Sequence, residues 1–528
     1  MLHPYAHAIW RSGRRRPDDP AVVDVAGDRR LTWGELVSRA GRLAGALRRA
    51  GVGPGDRVCV VQANRAAYVE AVAATAWLGA AFVPVLGGLT VRERDEIIAM
   101  VRPSVVIDTT AANPFGDLGG PGDRGSPGGP GDWVPPVQAD PSTTAQILFT
   151  SGSTGTPKGV MHSFAGSRAV FAAWVRLVGV PGPPPRVLVT TPISHAAGRL
   201  LEAALPLGGT VVIQDGAAGE ATLATIARFG VTHMLVVPTV LRRMVDEPSL
   251  ASHDLSSLRF VLYSAAPAAA GLVARAHTRL GEVLHTVWGS TELPAPNTHL
   301  GPAEHARGVA GEPRLLGSCG REFASDVQLR VVDDRLRDVP AGEPGQVIAA
   351  AGWLASGYWD RPDLWASRLH GDWFLTGDIG RVDDEGYLYL SDRVDDLIIT
   401  GGSNVYPTEI ETAVAEHPDV SEVSVVGLPD PQWGEAVTAV VVLRPGAAAS
   451  AAGPGSASAA ASASASASAD AEVADAVLAH CRAHLARHKV PKRVIVVDEL
   501  PRNPLGKVSR RAVRATLIAD TDPRPGVG

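Results

Sequence analysis

Apolar runs of four or five residues recur through the first half of the chain, and helical patterns follow them. This alternation narrows the fold more than any other feature. Arg57-Val58-Cys59-Val60-Val61 reads as a buried strand, and Arg65 to Leu78 as the helix after it. Val105-Val106-Ile107-Asp108, Val187-Leu188-Val189-Thr190, Thr210-Val211-Val212-Ile213 and Met234-Leu235-Val236-Val237 repeat the strand signature. Strands of this kind separated by helices predict an α/β protein whose parallel-rich sheets are covered by helices. With 528 residues, the chain has length for roughly two to four domains and an ample core.

Charge and composition exclude several classes. A net charge of −6 gives no long-range basic field, which argues against nucleic acid as a partner. The stretch Ala71 to Leu89 is apolar but broken by Gly79 and Pro84, too short for a membrane span. No apolar run follows the N-terminal arginines, so no secretory signal is expected. Cys59, Cys319 and Cys481 lie far apart without paired or metal-type spacing, which predicts a soluble protein in a reducing, cytoplasmic setting. Residues 116–136, rich in Gly, Pro and Asp, read as a mobile surface loop, and residues 447–469, almost pure Ala and Ser, as a flexible insertion in the C-terminal domain. His480, His484 and His488 follow at helical spacing; no carboxylate completes a metal set, so a solvated helix face is expected.

The chemistry begins at residues 147 to 163. The short strand Ile147 to Phe149 runs into Thr150-Ser151-Gly152-Ser153-Thr154-Gly155-Thr156-Pro157-Lys158-Gly159. Glycine lets backbone N–H groups turn toward an anion unobstructed. The hydroxyls add donors and Lys158 adds a full positive charge, so the loop is suited to polyphosphate. It lacks the Gly-x4-Gly-Lys-Ser/Thr spacing of a Walker loop.

Four further motifs follow in order. Trp288-Gly289-Ser290-Thr291-Glu292 offers an aromatic face for adenine, a hydroxyl for phosphate and a carboxylate for magnesium, which prefers oxygen. In Thr376-Gly377-Asp378 a carboxylate is able to accept both ribose hydroxyl protons. Ser391-Asp392-Arg393-Val394-Asp395-Asp396 leads to Gly401-Gly402, and Pro501-Arg502-Asn503-Pro504-Leu505-Gly506-Lys507 lies near the C-terminus. Together the set resembles the adenylate-forming superfamily, which includes acyl-CoA synthetases, firefly luciferase and peptide-synthetase adenylation domains. The resemblance spans residues 150 to 507 and is strongest to the aryl- and fatty-acyl-CoA synthetases. Pro192-Ile193-Ser194-His195-Ala196-Ala197-Gly198 and the Asp-Arg-Val-Asp-Asp junction carry that preference.

The resemblance implies an N-terminal adenylating domain over 1–393 and a small mobile α+β lid over 394–528. It implies ATP, Mg2+ and CoA as reactants and cofactors. Thr150 to Thr156, Lys158, Trp288, Asp378 and Arg393 are expected to bind ATP, with Glu292 holding the metal. Lys507, Thr291, Glu292 and His195 are the expected catalytic residues, and Asp395 the expected hinge. His195, Ala196, Arg199, Ala265, Val287, Ala295 and Pro296 are expected to line an acyl pocket. Gly401, Gly402 and Trp433 are expected to receive a pantetheine arm. Within that pocket Arg199 either pairs with Glu202, one helical turn on, or meets a polar or anionic group of a substituted aromatic or dicarboxylic acid. The resemblance leaves three acceptors open: CoA, a carrier protein, or an amine, with an inorganic acid such as nitrite as a possible acid partner of the last. It also leaves open a monomer or a homodimer. A non-enzymatic nucleotide-binding protein is disfavoured because Lys158, Glu292, Asp378, Arg393 and Lys507 are all present.

Overall fold

The computed structural model describes residues 1–115, 133–150, 157–179, 182–444, 462–502 and 508–521; the side chains of residues 395, 404, 462–469, 520 and 521 lie outside that description. The chain divides into two compact units. The first comprises Met1–Arg330, Ile348–Thr376 and Val382–Tyr389; the second comprises Val331–Val347, Gly377–Arg381 and Leu390–Gly528. The sequence suggests a single cut after Arg393, whereas two internal segments and Leu390 to Arg393 group with the second unit.

Two sheets dominate the first unit. In the nine-stranded sheet, Leu284–Trp288, Phe260–Tyr263, His233–Val236, Arg186–Val189, Thr210–Ile213 and Pro20–Asp24 lie side by side and parallel. Antiparallel strands close both edges. The six-stranded sheet runs Gly357–Tyr358, Lys158–Ser163, Thr144–Thr150, Ala81–Leu86, Arg57–Gln62, Val105–Asp108. Its last four strands named are parallel, and Lys158–Ser163 turns back antiparallel on Thr144–Thr150. The expected strands and the mixed α/β class are therefore present. Helix Ala66–Trp77 is buried at every position: nearly all its residues are apolar, and the one charged residue, Glu70, is paired by Arg29 and Arg39 at 3.0 and 2.7 Å. Trp33, Trp77, Trp174 and Trp353 fill the core around it.

The expected loop over 116–136 is partly corrected. Residues 116–132 lie outside the described residues, but the segment after them is tied down. Trp77 Nε1 donates to Val134 O at 2.8 Å, and Val137 N donates to Trp77 O at 2.7 Å. Trp133 lies so close to Gly41 that any Cβ there would fall 2.3 Å from the indole nitrogen.

The second unit is α+β. Gly434–Leu443 is its central strand, antiparallel to Val420–Asp430 and Ile398–Thr400 and parallel to Arg493–Val496. Helix Pro407–Ala415 packs on Val420–Asp430, and helix Ser462–His484 packs on Pro407–Ala415. The Ala/Ser tract is corrected at its end: from Ser462 onward the backbone is helical. Alanine's helix propensity prevails where the tract runs into the anchored helix carrying Val473, Val477 and Cys481. Residues 447–461 lie outside the described residues. The helix stops at His484, so His488 does not share its face. His480 is half-buried, with Nε2 at 3.0 Å from Ala413 O, and no metal-holding group of His, Cys, Asp or Glu occurs among the described residues. Among them, too, no helix is long and apolar enough to cross a membrane.

Candidate active site

Thr150 and Lys158 end the two strands that flank the glycine-rich loop, and they stand opposite each other in register. Ser151, Gly152, Ser153, Thr154, Gly155 and Thr156 lie outside the described residues. Next to Lys158–Ser163, the short strand Gly357–Tyr358 pairs Tyr358 with Val160. This places the Tyr358 ring beneath the Lys158 ammonium, 5.8 Å from ring centroid to Nζ. The Tyr358 hydroxyl donates to Glu292 Oε1 at 2.7 Å. A cation, an aromatic bridge and a carboxylate thus stand in a row. Ala355 N donates to the Glu292 carbonyl at 2.8 Å and fixes its backbone. Tyr358 is absent from the sequence-based site; the Gly357-Tyr358-Trp359 aromatic pair was its only local signal.

The turn bearing Thr291 and Glu292 follows strand Leu284–Trp288. At Gly289 a Cβ would lie 2.6 Å from Ala295 N, so the turn closes only with glycine there. Asn297 is fully buried and holds the turn from inside. Its Nδ2 donates to the carbonyls of Trp288, Leu293 and Pro294 at 3.2, 3.0 and 3.2 Å, and its Oδ1 accepts from Trp353 Nε1 at 3.0 Å. Such a saturated amide makes the Glu292 position rigid. Trp288 is 6% exposed, so strand burial leaves little of the open aromatic face the sequence suggested. Behind the turn, His162 is buried and hydrogen-bonded to the Thr291 backbone. Burial, aided by the Arg199 charge, pushes its imidazole down to about 3, so it stays neutral at pH 7.

Glu292 fits a magnesium site of the open kind. Mg2+ keeps several waters and takes one or two carboxylates together with substrate phosphates. One carboxylate whose second oxygen is left by Tyr358 meets that requirement.

On the acyl side, His195 precedes the 3-10 segment Ala196–Leu200. A buried relay sets its approach: Gln62 Nε2 donates to Asn64 Oδ1, Asn64 Oδ1 accepts from Ile193 N, and Ser194 Oγ donates to Gln62 Oε1 at 2.7 Å. At Gly198 a Cβ would lie 1.8 Å from Ile193 O, so the chain crosses itself only with glycine. His195 and Arg199 open on a cavity of about 30 Å³ whose other walls include Tyr5, Tyr68, Phe82 and Gln146. These four walls were missed from sequence, since they come from distant elements. Ala196, Ala265, Val287, Ala295 and Pro296 do not line this cavity. Val287 belongs to the apolar cluster around it, with Ala196 and Ala295 packed against that cluster. Ala265 is exposed and in the left-handed region at φ 73°. Arg199 Nη1 donates to Glu202 Oε1 at 2.6 Å, the first of the two alternatives for that arginine. Burial pushes the Glu202 carboxyl up, and Arg199 opposes the shift.

In the second unit, Arg393 Nε lies 3.7 Å from Asp378 Oδ1. Next to it, Asp392 is buried and accepts from Arg393 N, Thr408 N and Arg510 Nη1. Arg510 also binds Asp396 at 3.0 Å, and it grips Glu411 with two parallel bonds of 3.0 and 2.6 Å. These carboxylates hold the Arg510 guanidinium well above its ordinary range despite burial. Sequence reasoning missed this network. Asp395 sits in the 3-10 turn Val394–Asp396, within it. Gly401 and Gly402 both have positive φ, 56° and 78°, in the turn between two short strands. A Cβ on Gly401 would meet the Trp433 ring at 3.0 Å. Trp433 is 37% exposed and carries the Lys492 ammonium 4.5 Å from its centroid. Lys507 lies outside the described residues.

Comparison with known proteins identifies the family. The AMP-binding enzyme family matches residues 9–359 and the AMP-binding enzyme C-terminal domain matches residues 409–507. A feruloyl-CoA synthase from Amycolatopsis sp is 34% identical over 518 residues, covering 96% of this chain and 98% of that protein. The fatty acid–[acyl-carrier-protein] ligase ScoC of Streptomyces coeruleorubidus is 30% identical over 559 residues, covering 99% and 98%. Among solved structures, the amide bond synthetase McbA from Marinactinospora thermotolerans superposes with a TM-score of 0.81 at 32% identity, covering 97% of this chain and 99% of that one. With both family domains present in order along the chain, this protein belongs to the AMP-binding enzymes of the adenylate-forming superfamily.

Proposed function

We propose that the protein is an ATP-dependent carboxylate–CoA ligase that works through an acyl-adenylate. The Lys158–Tyr358–Glu292 row supports this reading: Tyr358 ties Lys158, the cation we assign to phosphate, to Glu292, the carboxylate we assign to the metal. In the first half-reaction a carboxylate oxygen attacks the α-phosphorus of ATP and pyrophosphate leaves. Both partners are anions, and two unit charges at about 4 Å repel by roughly 4 kcal/mol at an effective dielectric near 20. Lys507 is the residue assigned to bridge them and to stabilise the transition state. Lys158 and the loop hydroxyls hold the departing phosphates, with magnesium at Glu292 supplying charge neutralisation when bound. Thr291, next to Glu292 in sequence, is assigned to phosphate, His195 to the acyl site, and Asp378 with Arg393 to the ribose. In the second half-reaction a thiolate attacks the acyl carbonyl and AMP leaves; Asp395 is the hinge between the steps, and Gly401, Gly402 and Trp433 admit the pantetheine arm. We assign its work to the cytoplasm, on the wide spacing of Cys59, Cys319 and Cys481 in the sequence.

A second reading has an observation in its favour: similarity to an amide bond synthetase extends over nearly the whole chain. There an amine, not a thiol, would take the acyl group; a carrier-protein thiol is the third acceptor. Pyrophosphate release should be measured over a panel of acids, followed by product analysis with CoA, with a carrier protein and with amines. CoA thioester as the dominant product supports the ligase; amide formed in its place refutes it.

A further inference from the structure

The cavity beside His195 is lined by an ion pair whose carboxylate is only half used. Arg199 and Glu202 stand one turn apart where the segment Ala196–Leu200 runs into helix Leu201–Ala204. Their side chains are 18% and 4% exposed. Glu202 Oε1 takes the Arg199 bond, whereas Glu202 Oε2 is buried and has no hydrogen-bond partner among the described residues. Both residues line the cavity together with Tyr5, Tyr68 and His195. The pair is neutral in sum, and the polar atom it leaves over is an acceptor.

Three kinds of acid tail meet this atom differently. A plain apolar tail leaves a buried carboxylate oxygen unsatisfied, at a cost of about 1–3 kcal/mol. A second carboxylate meets Glu202 as a like charge, while the Arg199 charge is already balanced. A hydroxyl or N–H donor satisfies the oxygen. The cavity of about 30 Å³ is roomy enough for such a small polar group.

We propose that the Arg199–Glu202 pair is a tail-recognition subsite, selecting acids that carry a hydroxyl or amino donor and rejecting both plain and dicarboxylic acids. The inference rests on the acid-activating reading and narrows its substrate class. It also revises the second sequence-based alternative, in which Arg199 meets a polar or anionic group of the acid, because Glu202 has taken that place.

The test measures kcat/KM for acid-dependent pyrophosphate release with two series. One is phenylpropanoate with its para-hydroxy, para-amino and para-carboxy derivatives; the other is octanoate, ω-hydroxyoctanoate and octanedioate. In at least one series the hydroxy or amino acid should exceed both the parent and the dicarboxylic acid by about tenfold or more. Glu202→Gln should reduce that preference by about tenfold and raise the dicarboxylic acid relative to the parent. A parent acid as good as its donor-bearing analogue in both series overturns the inference, whether or not the variant folds. A preference unchanged in Glu202→Gln overturns it as well, leaving the pair purely structural. In both cases pyrophosphate release persists and the activation reading stands; no release with any acid refutes that reading and the inference with it.

Discussion

Removing the Arg510 guanidinium should loosen the second unit more than any other single surface-accessible charge change. Arg510 serves three carboxylates, and their burial decides the cost. The Asp392 side chain has 0% exposure, that of Glu411 20% and that of Asp396 37%. Asp392 and Glu411 also accept backbone N–H groups of Thr408 and Val425, so neither is free to swing into water. Arg510→Met therefore strands a fully buried carboxylate and a mostly buried one, for which about 3–5 kcal/mol is the usual penalty. Asp396→Asn, at the exposed end, should cost less than about 1 kcal/mol. Arg510→Lys should recover only part of the loss, since an ammonium does not reproduce the fork on Glu411. Hydrogen exchange on the full chain reads this locally, in helix Pro407–Ala415 and strand Val420–Asp430. Protection there should fall by about two to three and a half orders of magnitude in Arg510→Met, at 1.4 kcal/mol per decade. A loss below tenfold, or equal losses in Arg510→Met and Asp396→Asn, would refute the reasoning.

Further outcomes concern catalysis and pH. Lys507→Ala should lower adenylation at least ~10²-fold while sparing thioester formation from supplied acyl-adenylate; equal loss in both steps contradicts the role assigned to it. Asp395→Pro should do the reverse, because proline fixes φ at the proposed hinge, and survival of full turnover would remove Asp395 from that role. Burial holds His162 at about 3 in the folded chain against 6.5 unfolded, so the unfolded state binds the extra proton and stability falls as pH drops from about 6.5 toward about 3. If it folds, His162→Gln should flatten the pH dependence of the urea unfolding free energy by up to about 1.4 kcal/mol per pH unit in that window. An unchanged slope would show that His162 is already protonated in the fold.

The fold was legible wherever local pattern decides it. The runs at Arg57, Thr210 and Met234 became parallel strands because burial on both faces demands continuous apolar sequence, and the run at Val105 joins them as an edge strand with Val106 exposed. The i, i+3 spacing of Arg199 and Glu202 likewise announced their pairing. What was hidden depends on long-range pairing. Tyr358 reaches Glu292 only because Gly357–Tyr358 adds to the edge of Lys158–Ser163. Arg510 finds Asp392 and Glu411 across three separate elements. Tyr5 and Tyr68 come from two separate helices, and nothing local tells that they wall one cavity. The Ala/Ser tract misled in the opposite direction, since its missing apolar stripe hid the helix propensity that continues from Asp470 back to Ser462.

The central claim is that the acid is activated as an adenylate, and oxygen transfer tests it directly. The acid should be prepared with both carboxylate oxygens as 18O and carried through a single turnover with ATP and CoA. Attack on the α-phosphorus puts one labelled oxygen into the phosphate of AMP, and the thioester keeps the other. The account predicts one 18O per AMP and none in pyrophosphate. Unlabelled AMP, or label in inorganic phosphate with ADP as the nucleotide product, would contradict it.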